Sequence, residues 1–144
     1  MCGIYNTLCL FPFLWYIIFV RVFKNTWFNR FADKEGITDE ELTEAANLLE
    51  AGKADADLGG GVFKMRVARP GEGKSGGYRI IVFFRSEERT FFDYGFAKSD
   101  RDNISKRELK IYKKRAKEAL SYTDDQMGDR LRKRVFIEVI GDRI

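Results

Sequence analysis

The sequence has 144 residues, room for one compact domain, and its 33% charged and 44% hydrophobic content marks a folded chain rather than a disordered or collagen-like one. It contains no histidine and only two cysteines, Cys2 and Cys9, which excludes His-based acid–base catalysis, Ser-His-Asp triads, His-containing metal sites, a disulfide framework and a Cys-rich zinc site. The net charge is only +4, so a polyanionic partner is implied only where basic residues cluster.

Residues 1–19 carry no charge, and residues 8–20 form an apolar run interrupted by Pro12. As a helix that run would span roughly 20 Å, short of the ~30 Å hydrocarbon core. No basic segment precedes it and no small-residue cleavage site follows, which argues against a signal peptide. One reading is a membrane anchor with Arg21, Lys24 and Arg30 as its cytoplasmic flank. The other is that the chain begins near Val20 or Val22, with the first nineteen residues translated upstream sequence.

A short strand is predicted over 20–24. Trp27, Phe28 and Phe31 are spaced for one face of a helix over 26–33, which Gly36 ends. Thr38 and Glu41 form a capping box for the next helix, whose stripe is Leu42, Ala45, Ala46, Leu48 and Leu49, with Gly52 as its stop. Residues 33–57 hold nine acids against Lys34 and Lys53. That acidic stretch is either a solvated helix face or a dock for a basic partner segment. Residues 54–61 read as a loop ending in three glycines.

Three strands follow. Residues 62–69 alternate, with Phe63, Met65 and Val67 on one face and Lys64 and Arg66 on the other. Residues 78–85 are more fully apolar, and residues 90–97 place Phe92, Tyr94 and Phe96 together. The link 86–89 makes the last two an antiparallel hairpin. The 70–77 linker resembles a phosphate loop superficially, but it lacks the GxxxxGK[ST] spacing and leads to a strand, so it reads as a hairpin loop exposing Lys74. Asp100 is a candidate cap for a helix over 106–122, where Leu109, Tyr112, Ala116, Ala119 and Leu120 face inward and Lys106, Lys110, Lys113, Lys114 and Lys117 outward. A short helix over 123–133 and a strand over 135–140 close the chain. The expected fold is α+β: a small antiparallel meander with N-terminal helices and a C-terminal helix packed on it. One domain is expected over 20–144, with a core of 20–120 and an extension of 121–144.

Charge clusters within this pattern. Residues 62–89 hold seven bases and three acids, and residues 98–134 hold thirteen bases and seven acids. Lys64 and Arg66 leave one strand face about 7 Å apart. Arg79 joins that face if the strands pair across the glycine linker, and Lys98 would close the cluster. Cations converging on one face repel unless an anion sits among them, and phosphate is the natural one. The alternative is a plain solvent-facing sheet.

The strings GGGVFKMRVARPGEGKSGGYRIIVFF and FFDYGFAKSDRDNIS resemble the RelE/ParE superfamily of bacterial toxins, in its HigB-like or RelE-like branch. The resemblance covers roughly residues 20–120. Members commonly begin with a stretch similar to RVFKNTWFNRF, which favours a start near Val20. The resemblance implies a cytoplasmic, metal- and cofactor-independent endoribonuclease that enters the ribosomal A site, cuts mRNA there and is neutralised by a cognate antitoxin, in a toxin–antitoxin hetero-oligomer. Membrane contact is not part of that reading.

Such an enzyme attacks phosphorus with the ribose 2′-OH. It needs a base, an acid for the 5′-oxygen and cations for the phosphorane. Lys64 is the candidate base or phosphate contact, Arg66 and Arg79 stabilise the developing charge, and Lys98 completes the catalytic set. Arg69, Lys74, Arg101, Lys106 and Lys110 are the candidate RNA or ribosome contacts. RelE-type enzymes place an arginine and then an aromatic after the last strand. Here Arg101 is available but no tyrosine follows, leaving the acid unassigned. Two other functions stay open: a ParE-like gyrase inhibitor that cleaves nothing, and a membrane-tethered interaction module.

Overall fold

A computed structural model describes residues 21–140 apart from Pro70, Glu72 and Glu87, and only the backbone of Lys74 and Ser75. The chain runs β1 (Arg21–Asn25), α1 (Thr26–Glu35), α2 (Asp39–Glu50), β2 (Ala56–Gly59), β3 (Val62–Arg69), β4 (Gly73–Phe84), β5 (Arg89–Ala97), α3 (Lys106–Ala119), α4 (Asp124–Arg132) and β6 (Phe136–Glu138). The strands form one sheet in the order β2-β3-β4-β5-β1-β6, the expected α+β architecture. The readings made for residues 1–19 lie outside the described residues.

Alternation along the strands divides the core in two. Met65, Ile80, Val82 and Phe92 point to the face covered by Phe28 of α1 and by Leu42, Ala45 and Leu49 of α2. Ile81, Phe83 and Phe91 point to the other face, covered by Tyr112 and Ala116 of α3 and Met127 of α4. Local chemistry sets the helix ends. Asn25 accepts from the Phe28 N–H at the start of α1, and Gly36 leaves it at φ 74°. Thr38 and Glu41 form the expected capping box of α2, and Ser105 with Glu108 forms another at α3. The cap of α3 is thus Ser105, not Asp100, because only Ser105 stands where its hydroxyl reaches the N3 amide.

The sheet departs from a simple meander in three places. Strand β1 lies parallel to β5, Val22 opposite Thr90 and Phe23 opposite Phe91, and antiparallel to β6. A strand with no hairpin partner carries no sequence mark of its neighbour. Strand β2 occupies part of the predicted loop and pairs with β3, Ala56 opposite Lys64. The three glycines turn this hairpin, with Gly59, Gly60 and Gly61 at φ 88°, 63° and 82°. Strand β4 begins at Gly73, so the linker is shorter than predicted and Lys74 lies on a strand; its expected exposure falls outside the described side chains. No helix among the described residues is long and apolar enough to cross a membrane.

Candidate active site

The β3–β4 ladder sets the site. Arg66 stands directly opposite Arg79, and Lys64 opposite Ile81. With Met65 and Val67 buried toward α1 and α2, Lys64 and Arg66 leave the face that carries α3. Lys64 is half-buried, Arg66 exposed and Arg79 buried. The three cations expected together therefore share one sheet face.

Strand β5 extends the same face. Tyr94 is opposite Ile81 and Phe96 opposite Arg79, so two rows cross three strands: Lys64, Ile81, Tyr94 and Arg66, Arg79, Phe96. The sequence placed Phe92 with Tyr94 and Phe96. The register shifts instead, with Val82 opposite Phe92 and Ile81 opposite Tyr94, so Asp93 is an extra residue and Phe92 faces the other core. Asp93 is buried. Its Oδ1 accepts from Asn25 Nδ2 at 2.9 Å and from Arg115 at 2.7 Å, tying β1, β5 and α3 together.

Arg101 comes to this face from the segment after β5. Its guanidinium lies 5.1 Å from the Phe96 ring centre. It donates to both oxygens of Glu108, at 2.6 and 3.0 Å, and stands 3.5 Å from the Tyr94 hydroxyl. Those bonds hold Glu108 well below the usual carboxylate range, at about 2, and raise Arg101 further above its already high value. Tyr112 of α3 stacks on Tyr94 with ring centres 6.0 Å apart. Burial pushes its phenol up to about 12, with Asp93 adding to the effect.

No tyrosine follows the last strand, but Tyr94 within β5 brings a phenolic hydroxyl to within 3.5 Å of Arg101. The strand's own alternation, Tyr94 and Phe96 on one face, was its only sequence signal.

The remaining predicted residues scatter. Lys98 stands one residue past β5; its backbone N–H donates to Gly77 at 3.0 Å and its exposed side chain hydrogen-bonds to no described residue. Arg69 does not join Arg66. Its guanidinium lies 5.6 Å from the ring centre of Tyr78, on the opposite face, and donates to Ser99. Lys106 and Lys110 are exposed on α3. No group of three or more metal-ligating side chains occurs among the described residues.

Residues 20–139 match a protein-family model described as the RelE toxin of the RelE / RelB toxin-antitoxin system.

Proposed function

The chain belongs to the RelE toxin family, its match covering far more than half the sequence, and from that premise we propose that it is a metal-independent endoribonuclease acting on ribosome-bound mRNA. Membership makes it the toxin of a toxin–antitoxin pair, with a RelB-like antitoxin as cognate partner. Toxins of this family are generally mRNA-cleaving.

The observation that carries the finer reading is the convergence of Lys64, Arg66 and Arg79 on one sheet face, in the cross-strand rows that also carry Tyr94 and Phe96. In the proposed reaction Lys64, as the free amine, takes the 2′-OH proton while that oxygen bonds to phosphorus. Arg66 and Arg79 hold the phosphoryl oxygens as negative charge builds, a contribution of roughly 3–4 kcal/mol for a well-placed donor. The P–O5′ bond breaks and the leaving oxygen takes the Tyr94 proton, with Arg101 beside the phenol to ease its loss. The products are a 2′,3′-cyclic phosphate and a 5′-hydroxyl. A gyrase inhibitor of the ParE type needs no phosphate-clustering sheet face, which favours the RelE/HigB-like branch. The ribosome as target puts the proposed activity in the cytoplasm.

In vitro translation of a defined mRNA, with 5′-end mapping, tests this. Cuts that appear only with ribosomes support it. Intact mRNA together with inhibited DNA supercoiling overturns it.

A further inference from the structure

Strand β1 pairs with β5 only as far as Phe92 and then turns into α1. Asn25 Nδ2 still donates to the Asp93 carbonyl at 3.0 Å, and beyond it the β1 side of β5 pairs with no strand among the described residues. A groove of about 470 Å³ runs along it, between α1 and the segment that carries Arg101. Its volume is in the range of ligand sites.

The α1 wall presents Trp27, Arg30, Phe31 and Lys34, spaced three and four residues apart and so on one helix face. Trp27 is 45% exposed although its spacing sets it with Phe28 and Phe31 on one helix face. It stacks with Phe31 and Tyr94, ring centres 5.4 and 4.7 Å away. Phe31 comes in over Gly95, where a Cβ would lie 2.5 Å from its ring. Arg30 and Lys34 form no ion pair with any described residue. The opposite wall holds Phe96 under Arg101. Two acids also line the groove: Glu35, which accepts from the Tyr78 hydroxyl at 3.0 Å and so points its carboxylate toward β4, and Asp100.

An aromatic wall beside free cations is what sequence-tolerant binding of single-stranded nucleic acid requires: bases pack on rings and phosphates meet the charges. Phe96 belongs both to this groove and to the row that holds Arg66 and Arg79, so the groove continues the proposed cleavage face. We infer that the groove between α1 and the end of β5 beyond Asp93 binds the single-stranded RNA flanking the cleaved phosphate, with a base against Trp27 and Phe31 and phosphates at Arg30 and Lys34. The inference rests on the proposed reading of RNA as substrate.

Fluorescence anisotropy of the full chain with a labelled hexanucleotide, 2′-O-methylated throughout so that it cannot be cut, tests it. An abasic oligomer of equal charge serves as comparison. The base-bearing oligomer should bind at least fivefold more tightly than the abasic one. Trp27→Ala should remove that preference and Trp27→Phe keep it. The surface double variant Arg30→Glu/Lys34→Glu should weaken both oligomers at least tenfold. Equal binding of the two oligomers by the wild type, or RNA affinity unchanged in the double variant, overturns the inference. So does a double variant that keeps RNA affinity but escapes neutralisation by its antitoxin on co-expression, which would make the groove a protein site. Because no step requires cleavage, loss of the nuclease reading through intact mRNA leaves this outcome separately readable.

Discussion

Arg66 and Arg79 are direct cross-strand partners, two like charges on one face of the β3–β4 ladder, and Arg79 is only 5% exposed. Like charges directly opposite destabilise a sheet, by roughly 0.2–1 kcal/mol on the scale of such pairs. A bound phosphate would offset that cost. Under the proposed reading, folding stability and phosphate binding make opposite demands on this one pair of residues.

Arg66→Gln exploits this opposition. The exposed side chain gives up little packing, so the variant should melt about 1–3 °C higher than wild type in low-salt buffer without phosphate. Adding inorganic phosphate should raise the wild-type melting temperature and so narrow the gap. Cleavage in the translation assay should fall about 100-fold or more. A variant that melts lower and still cleaves normally would show that Arg66 is an ordinary surface residue.

Lys64→Ala separates the base from the phosphate clamp. Lys64 is half-buried at the edge of the patch, and its loss should lower cleavage by about 100- to 10,000-fold, the range for removing a general base. Affinity for the uncleavable oligonucleotide should change less than tenfold. If affinity and cleavage fall together by the same factor, Lys64 binds phosphate and another group takes the proton.

Glu108 joins Arg101 to the start of α3, both as ion-pair partner and as the return half of the capping box. Glu108→Gln should destabilise the chain at pH 7 by about 1 kcal/mol, since the pair is partly exposed and screened. The Glu108 pKa is depressed on folding, from 4.5 to about 2. Its stabilisation is therefore complete above pH 4.5 and is lost as the pH falls through about 2. Thermal melts at pH 7, 4 and 2 should show the two proteins converging across that interval.

Asp93 has the opposite sign. Burial raises its pKa above 3.8, outweighing the pull of Arg115 and the Asn25 hydrogen bond, and its Oδ2 has no hydrogen-bond partner among the described residues. The folded state therefore holds a proton there more readily than the unfolded chain. Ionisation costs stability at neutral pH, and that cost disappears as the pH falls through the raised value to 3.8. Asp93→Asn, which resembles the protonated acid, should melt above wild type at pH 7, with the difference shrinking toward pH 4. Asp93→Ala, which removes the acceptor shared by Asn25 and Arg115, should lose about 1–3 kcal/mol at either pH.

What the sequence discloses depends on how local the cause is. The period-two pattern of Phe63 to Val67 specifies which face Lys64 and Arg66 leave, and Thr38 with Glu41 marks the start of α2, because both are decided within a few residues. Asp93 breaks the period of β5 with one extra residue, and composition does not announce a bulge, so Phe92 was read onto the wrong face. Arg69 follows a register shift after Val67 and leans on Tyr78 for the same kind of reason. Trp27 has a core-like spacing. Its exposure follows from where β1 stops along β5, a relationship between segments nearly seventy residues apart. The Tyr94 hydroxyl meets Arg101 only because the turn after β5 folds back over Phe96.

Two glycines show how closely the site's register is held. A Cβ on Gly77 would lie 2.2 Å from the Val67 carbonyl oxygen and 2.9 Å from the Arg69 amide, both backbone atoms of β3. Backbone cannot move aside without opening the ladder, and Gly77 lies only two residues from Arg79. Gly77→Ala should therefore cost about 3 kcal/mol or more and also lower cleavage, because the Arg66–Arg79 pairing must shift. At Gly95 the obstacle is the Phe31 ring, a side chain on α1 that can tilt toward the open groove. Gly95→Ala should cost less, about 1–2 kcal/mol. Denaturant melts of the two variants measure the difference. Equal losses would mean that α1 is held as rigidly as the β3–β4 hairpin, and a harmless Gly77→Ala would mean that the two strands are free to part where the arginines meet.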